Sequence, residues 1–321
     1  MNTTSVQTIA TWLGAPPPDV DAPVNGVTTD TRHVSPGDVF VALVGERFDG
    51  HEFLEQARAS GAVAAVVSRR VASPLAQIEV ADTRLALGIL ARAARRAWSG
   101  ELVAVTGNSG KTTVKEMLAA ILSRVHPTLA TRGNLNNDIG APQTLLALSS
   151  AHRRAVIELG ANHLGEIAWT TSLAIPDVAV ITNVTGAHVG EFGGIGRIAQ
   201  AKAEILLGLS ASGTAVLNRD DRFYPMWREL AGDAEVLDFG LDPAARVRAE
   251  ALACDDDGRY AFTLFVDGVS LGRVRLALLG RYNVRNALAS AAAAWALRVP
   301  AEDIVAGLEA CRTMPGRMMN V

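Results

Sequence analysis

Eight consecutive residues, Thr106-Gly107-Asn108-Ser109-Gly110-Lys111-Thr112-Thr113, carry the sharpest chemical signal in the chain. They follow the apolar run Leu102-Val103-Ala104-Val105. They precede a stretch in which Val114, Met117, Leu118, Ile121, Leu122 and Val125 fall on one helical face. A strand, a glycine turn and a helix in that order are what a phosphate-binding loop requires. Gly107 and Gly110 let the backbone turn N–H groups, those of Asn108 and Ser109 among them, inward without a Cβ clash. The helix N-terminus adds partial positive charge where phosphates would sit. Lys111 can reach the outer phosphate oxygens, and a hydroxyl from Thr112 or Thr113 can ligate Mg²⁺. The usual spacing asks for another glycine at the position of Val105, so the loop is a GxxGK[ST] variant. Its bland alternative is an ordinary glycine-rich turn.

Other candidates stand where apolar runs end. Ala155-Val156-Ile157 leads into Glu158, and a carboxylate at the tip of a buried parallel strand lies at the usual ligand crevice. Glu158 is therefore a candidate Mg²⁺ ligand, set against a solvated strand-end glutamate. Val178 to Ile181 leads toward His188 at the same sheet edge, where a lone histidine is either structural or a metal ligand. Ile198, Ala201, Ile205 and Leu206 form an apolar helical face on which Lys202 reads as a surface charge. Asn283 and Asn286, three apart at a helix start, share a face. An amide there can pair with the donor–acceptor edge of adenine, and capping is the alternative for Asn283.

Positioning such residues takes an α/β fold. Apolar runs at 155–157, 178–181, 215–217 and 235–237 alternate with helical stretches, which implies a mostly parallel sheet flanked by helices. Residues 247–278, with turn signals at Asp255-Asp256-Asp257-Gly258 and Asp267-Gly268, read as an antiparallel appendage. Helices at about 284–298 and 301–311 follow. Residues 1–82 read as a small mixed α/β N-terminal domain with β-like runs at 39–43 and 62–67. A helix from Thr83 to Trp98 leads to Ser99-Gly100, a break before the next strand–loop–helix stretch; the P-loop-type central ATP-binding domain is bounded at 83–313, and residues 314–321 begin another.

Composition agrees. A chain of 321 residues, 49% hydrophobic and 20% charged, is too long for one ordinary domain and too apolar for disorder. A net charge of −3 gives no pull toward nucleic acid. Two cysteines without a CxxC pattern argue against a disulfide framework and for the reducing cytosol. The N-terminus lacks a signal-peptide pattern. The longest apolar run, 287–297, falls short of the roughly 20 residues that a membrane span needs.

Taken in order, these pieces resemble the Mur ligase family over almost the whole chain. Residues 106–113 look like its phosphate loop, and Thr131 to Pro142 resembles its next motif, with Asn137 as a substrate contact. Glu158 to Asn162 and Asn183 to His188 match its metal-site motifs. Ala201-Lys202-Ala203-Glu204-Ile205 matches the segment whose lysine is carbamylated in the family. Gly280 to Ala289 resembles the adenine-side motif, with Tyr282 where a histidine is usual. Pro315-Gly316-Arg317 matches a motif whose arginine faces the nucleotide phosphates. Thr29-Asp30-Thr31-Arg32 and Gly45 to His51 resemble a UDP-sugar-binding domain of the family.

The resemblance implies an ATP-dependent ligase of peptidoglycan precursor synthesis. The terminal carboxylate of UDP-N-acetylmuramoyl-tripeptide would attack the γ-phosphate of ATP. The amine of D-alanyl-D-alanine would then displace phosphate from the acyl phosphate. Lys111, Arg317 and Mg²⁺ at two sites would offset the crowded negative charge. One site would use Thr112 or Thr113 with Glu158, and the other His188. Carbamylation would turn Lys202 from a cation into a carboxylate-like partner of the second metal. The family's C-terminal domain would follow Val321, so the expectation is a monomeric fragment, inactive alone. Asn134-Leu135-Asn136-Asn137-Asp138 favours D-alanyl-D-alanine as the amine over a MurE-like or folylpolyglutamate synthetase-like reaction. Outside the family, Asn218-Arg219-Asp220-Asp221 mimics a guanine-reading NKxD, but with arginine for lysine and no DxxG on the strand ending at Glu158. A binding module without turnover is the third reading.

Overall fold

The computed structural model describes residues 3–185, 192–209 and 212–312. The chain divides into two compact units, residues 1–99 with 138–151, and residues 100–137 with 152–321.

In the first unit, β1 (Thr4–Ser5) pairs antiparallel with β2 (Pro23–Val24). Between them α1 (Val6–Leu13) starts at Ser5, whose hydroxyl accepts the Thr8 N–H, and stops at Gly14 in the left-handed conformation. A four-stranded parallel sheet follows: β3 (Gly26–Thr28), β4 (Asp38–Val41), β5 (Ala64–Val67) and β6 (Ala76–Glu79), paired in that order. Both β4 and β5 are buried along their length, as parallel strands covered on two faces must be. Phe40, Ala65 and Val67 pack with Leu54 and Ala57 of α2 (Leu54–Ala59). The Asp82 carboxylate accepts the Arg84 and Leu85 N–H groups and so starts α3 (Thr83–Ala97).

Here the sequence-based division needs correction. Helix α3, expected to open the central domain, packs in the first unit. Its Ala86, Leu87, Leu90, Ala91 and Ala94 are buried, and the helix lies on α1 and on a helix that returns from beyond residue 137. The bound at 83 is therefore too early; the units change at the Ser99-Gly100 break, while the return of residues 138–151 to the first unit has no local trace in sequence.

The second unit is built on a nine-stranded sheet. Its parallel part comprises β7 (Glu101–Thr106), β8 (Thr128–Ala130), β9 (Arg154–Glu158), β10 (Val178–Ile181), β11 (Thr214–Asn218) and β12 (Glu235–Gly240). Strand β13 (Val247–Cys254) pairs parallel with β12, then β14 (Arg259–Val266) and β15 (Val269–Leu279) continue antiparallel, as the expected appendage. The order is β15-β14-β13-β12-β11-β10-β7-β9-β8, so β7 has β9 on one side and β10 on the other. From β7 the chain crosses to the edge strand β8, returns to β9 and then passes to β10 on the other side, so the crevice at the carboxyl end of β7 lies at the topological switch point.

Helix α4 (Lys111–Leu122) leaves β7, whereas α5 (Gly140–Leu146) is the helix that joins the first unit. Further on come α6 (Glu166–Ala174), α7 (Ile195–Ala203), α8 (Tyr224–Leu230), α9 (Tyr282–Ala296) and α10 (Ala301–Ala310). Met117, Leu118 and Ile121 of α4, Val284 and Leu288 of α9 and Ile304 and Leu308 of α10 form one core with Val103, Val105, Val156 and Val180 of the sheet. Trp227 of α8 is fully buried and donates its indole N–H to the Ala199 carbonyl at 3.1 Å, which ties α7 to the body of the unit. Trp227→Ala should destabilise this unit by about 3–5 kcal/mol, measured by denaturant unfolding.

Candidate functional site

The loop leaving β7 is held from β10. The Thr182 hydroxyl donates to the Ser109 carbonyl at 2.7 Å, and the Asn108 N–H donates to the Asn183 carbonyl at 3.0 Å. The Asn183 side chain closes on Ser109 from both ends. Its Oδ1 accepts the Ser109 N–H and hydroxyl, both at 3.0 Å, and its Nδ2 donates to the Ser109 carbonyl at 3.1 Å. Gly107 and Gly110 have φ of 144° and 79°, and a Cβ would strike the Thr182 hydroxyl at one and the Asn286 side chain at the other. The Lys111 ammonium donates to the Gly107 carbonyl at 2.9 Å, so its charge stands over the loop.

On the other side of β7, Glu158 ends β9 and is 2% exposed. One carboxylate oxygen accepts the Thr112 hydroxyl at 2.9 Å, and the other accepts the Asn136 amide at 2.8 Å. The structure thus separates two threonines that sequence left equivalent. Thr112 faces Glu158, whereas Thr113 lines a separate cavity of about 250 Å³. A carboxylate beside a hydroxyl at a phosphate loop is a hard-oxygen set suited to Mg²⁺, which keeps most of its water. Among the described residues no cluster of three or more His, Cys, Asp or Glu is placed to hold a metal ion.

Lys202 is not a surface charge. It is 3% exposed on α7, with its ammonium 5.4 Å from the Phe192 ring centroid. Burial, followed by the nearby Lys111 charge, pushes its amine down to about 8. Lys111, Lys202, Asn136, Asn137 and Glu166 line one recess of about 160 Å³ at the end of β7. Glu166 is fixed there by the Asn162 N–H at 2.8 Å and by the His163 ring.

The 250 Å³ cavity on the β10 side is walled by Thr113, Asn183, Phe239, Tyr282, Arg285 and Asn286 among others. Asn283 stands behind that wall and not on it. Its amide donates to the Leu279 carbonyl at 2.8 Å, and its carbonyl accepts the Asn286 amide at 2.9 Å. Asn283 therefore orients Asn286, a correction to the expectation that both reach a base. The residues that mimicked a guanine-reading motif are engaged in the fold. Asn218 donates to the Thr182 carbonyl, and Asp220 accepts the Leu241 and Asp242 N–H groups and the Arg285 guanidinium.

Thr29, Asp30, Thr31 and Arg32 belong to the first unit. Asp30 caps a short 3-10 turn over 31–33 and grips Arg32 at 2.6 Å, which holds the Asp30 carboxyl well below the usual range. Thr29 accepts the Gln143 amide of α5 at 2.6 Å. His188 and Arg317 lie outside the described residues. Sequence reasoning passed over Asn136, one residue before the named Asn137. It also passed over Lys115, which reads as a polar helix position but is fully buried. The neighbouring asparagines were a signal for the first, and nothing local marks the second.

Two family models match this chain. The Mur ligase middle domain covers residues 105–294, and the Mur ligase family catalytic domain covers residues 23–126. The chain belongs to the Mur ligase family. It is 46% identical over 302 residues to the UDP-N-acetylmuramoyl-tripeptide--D-alanyl-D-alanine ligase of Escherichia coli, covering 94% of this chain and 66% of that one. The crystal structure of MurF from Acinetobacter baumannii superposes with a TM-score of 0.91 at 42% identity, covering 98% of this chain and 70% of that one. MurF from Thermotoga maritima in complex with ADP superposes at 0.80 with 31% identity, covering 92% and 67%. The chain thus spans about two thirds of the length of the curated relatives it matches.

Because Asn183 supplies side-chain bonds that hold Ser109, Asn183→Ala should loosen this Mur-type loop selectively. Amide hydrogen exchange at Ser109 should quicken, while global stability falls by only about 1 kcal/mol.

Proposed function

We propose that this chain carries the nucleotide and carboxylate sites of an ATP-dependent ligase that joins D-alanyl-D-alanine to UDP-N-acetylmuramoyl-tripeptide. The observation that carries this reading is the pairing of Thr112 with Glu158 at 2.9 Å, together with Asn136, which donates to the same carboxylate and lines one recess with Lys111 and Lys202. The task at such a site is to bring an anionic carboxylate against a polyphosphate. Lys111 offsets phosphate charge, the α4 N-terminus binds phosphate oxygens while the Asn108 and Ser109 N–H groups, against the sequence-based expectation, are held by Asn183, and Asn137 orients the incoming carboxylate. Mg²⁺ held by Thr112 and Glu158 would supply further neutralisation of the phosphates. His188 serves a second Mg²⁺ in this reading, and Arg317 the phosphates. The 250 Å³ cavity takes the nucleobase, with the Asn286 amide set to pair with adenine. Thr29, Asp30, Thr31 and Arg32 serve the UDP-sugar end of the substrate. The protein works as a cytosolic monomer. The described residues include no helix long and apolar enough to cross a membrane.

Lys202 is carbamylated in this proposal. The neutral amine adds CO₂ and releases a proton, and the ammonium becomes an anion able to face a metal. Two ammonium groups lining one small recess give the modification its electrostatic motive. With an amine at about 8, about a quarter of the groups are neutral at about pH 7.5, against about one in a thousand for an ordinary lysine. The neutral fraction rises as pH increases through 8. In ¹³C-bicarbonate, a carbamate resonance should therefore grow between about pH 7 and 9 and be missing from Lys202→Ala. No Lys202-dependent signal at the alkaline end would exclude the modification. In a ligation assay of a complete enzyme, Lys202→Ala should lose activity, with partial recovery when short carboxylates are added.

Calorimetry tests the nucleotide assignment. The chain should bind Mg·ADP more tightly than Mg·GDP. Thr112→Ala should weaken Mg·ADP by at least about tenfold with little effect on metal-free ADP, whereas Thr113→Ala should weaken both. A preference for GDP, or equal behaviour of the two variants, would count against the reading.

A further inference from the structure

Lys115 is fully buried on α4, one turn beyond Lys111, and has no place in the chemistry above. Its ammonium donates to the Thr131 carbonyl at 2.7 Å, to the Gly133 carbonyl at 3.3 Å and to the Glu116 carboxylate at 2.9 Å. Those contacts match the three protons of the group. The charge is thus held by main-chain oxygens of one segment, the stretch that follows β8 and runs past the tip of β9.

That segment ends on the proposed metal ligand. Thr131 accepts the Glu158 N–H through its hydroxyl at 3.0 Å, and the Thr131 N–H donates to the Val156 carbonyl. Three residues past Gly133, the Asn136 amide donates to the Glu158 carboxylate at 2.8 Å, while the Asn136 carbonyl accepts the Gly160 N–H. Glu158 is therefore oriented by Thr112 from α4 and by Asn136 from a segment that Lys115 fastens to the same helix.

We infer that Lys115 is a positioning residue for the metal site. It locks the 131–136 segment to α4, so that Asn136 holds one Glu158 oxygen while the other faces Thr112. A neutral side chain of equal length would fill the space but release both carbonyls. The segment would then drift, and Asn136 with it. The inference rests on Glu158 acting as a metal ligand.

The test uses the whole chain, with ADP as nucleotide and Mn²⁺ as a magnetic substitute for Mg²⁺. Affinity for ADP is measured with and without metal, and bound Mn²⁺ is followed by electron paramagnetic resonance. In the wild type, metal should strengthen ADP binding, and Glu158→Gln should erase that gain. If the gain is missing, or survives Glu158→Gln, the metal reading and this inference fall together. With that gain established, Lys115→Met should reduce it by about tenfold and broaden the Mn²⁺ spectrum, while metal-free ADP affinity stays within about twofold. Adding Asn136→Ala to Lys115→Met should cost little more, because both act on one path. Lys115→Leu, which also lacks a donor, replaces the methionine variant if that one does not fold. A full metal gain in the folded variant, equal losses with and without metal, or additive effects with Asn136→Ala would overturn the role of Lys115 and leave that of Glu158 standing.

Discussion

Parallel pairing of β7 with β9 on one side and β10 on the other is the constraint from which the site follows. The register sets Val105 beside Glu158 and Thr106 beside Ile181, so the phosphate loop, the carboxylate and the Thr182-Asn183 clamp end at one level. Parallel strands all deliver their carboxyl ends to the same edge, and helices returning on the faces leave that edge open. The loop needs no rigidity of its own. Its shape is imposed by hydrogen bonds from β10, and two glycines permit close approach of Thr182 and Asn286.

Two buried lysines show how differently one residue type can be used within about a helix length of the same loop. Lys115 meets carbonyls and a carboxylate, which compensates the removal of its charge from water. Lys202 is packed near Phe192 with a second cation close by, and burial works against its protonated form. The first arrangement keeps a charge in place and fixes backbone. The second raises the share of neutral amine, which is the nucleophilic form.

The first unit uses charge for local order. His51 is buried, and the Ser68 N–H donates to its Nε2, so the ring proton sits on Nδ1 and is donated to Asp49 at 2.6 Å. The backbone N–H of His51, with Arg69 alongside, holds the Asp49 carboxyl well below the usual range. The segment resembling a UDP-sugar-binding motif is thereby pinned to the end of β5.

By itself the sequence determined the strand–loop–helix at 101–122, the apolar parallel strands, the antiparallel appendage and the order of the Mur motifs. Each of these is local, written in period and in glycine placement. Tertiary structure decided the rest. It chose Thr112 over Thr113 for Glu158, put Asn283 behind Asn286, buried Lys115 and Lys202, and gave α5 to the first unit. None of these depends on a residue's neighbours in sequence. Each depends on which strand tip or helix face the winding of the sheet brings alongside, because burial and hydrogen-bond partners are properties of packing.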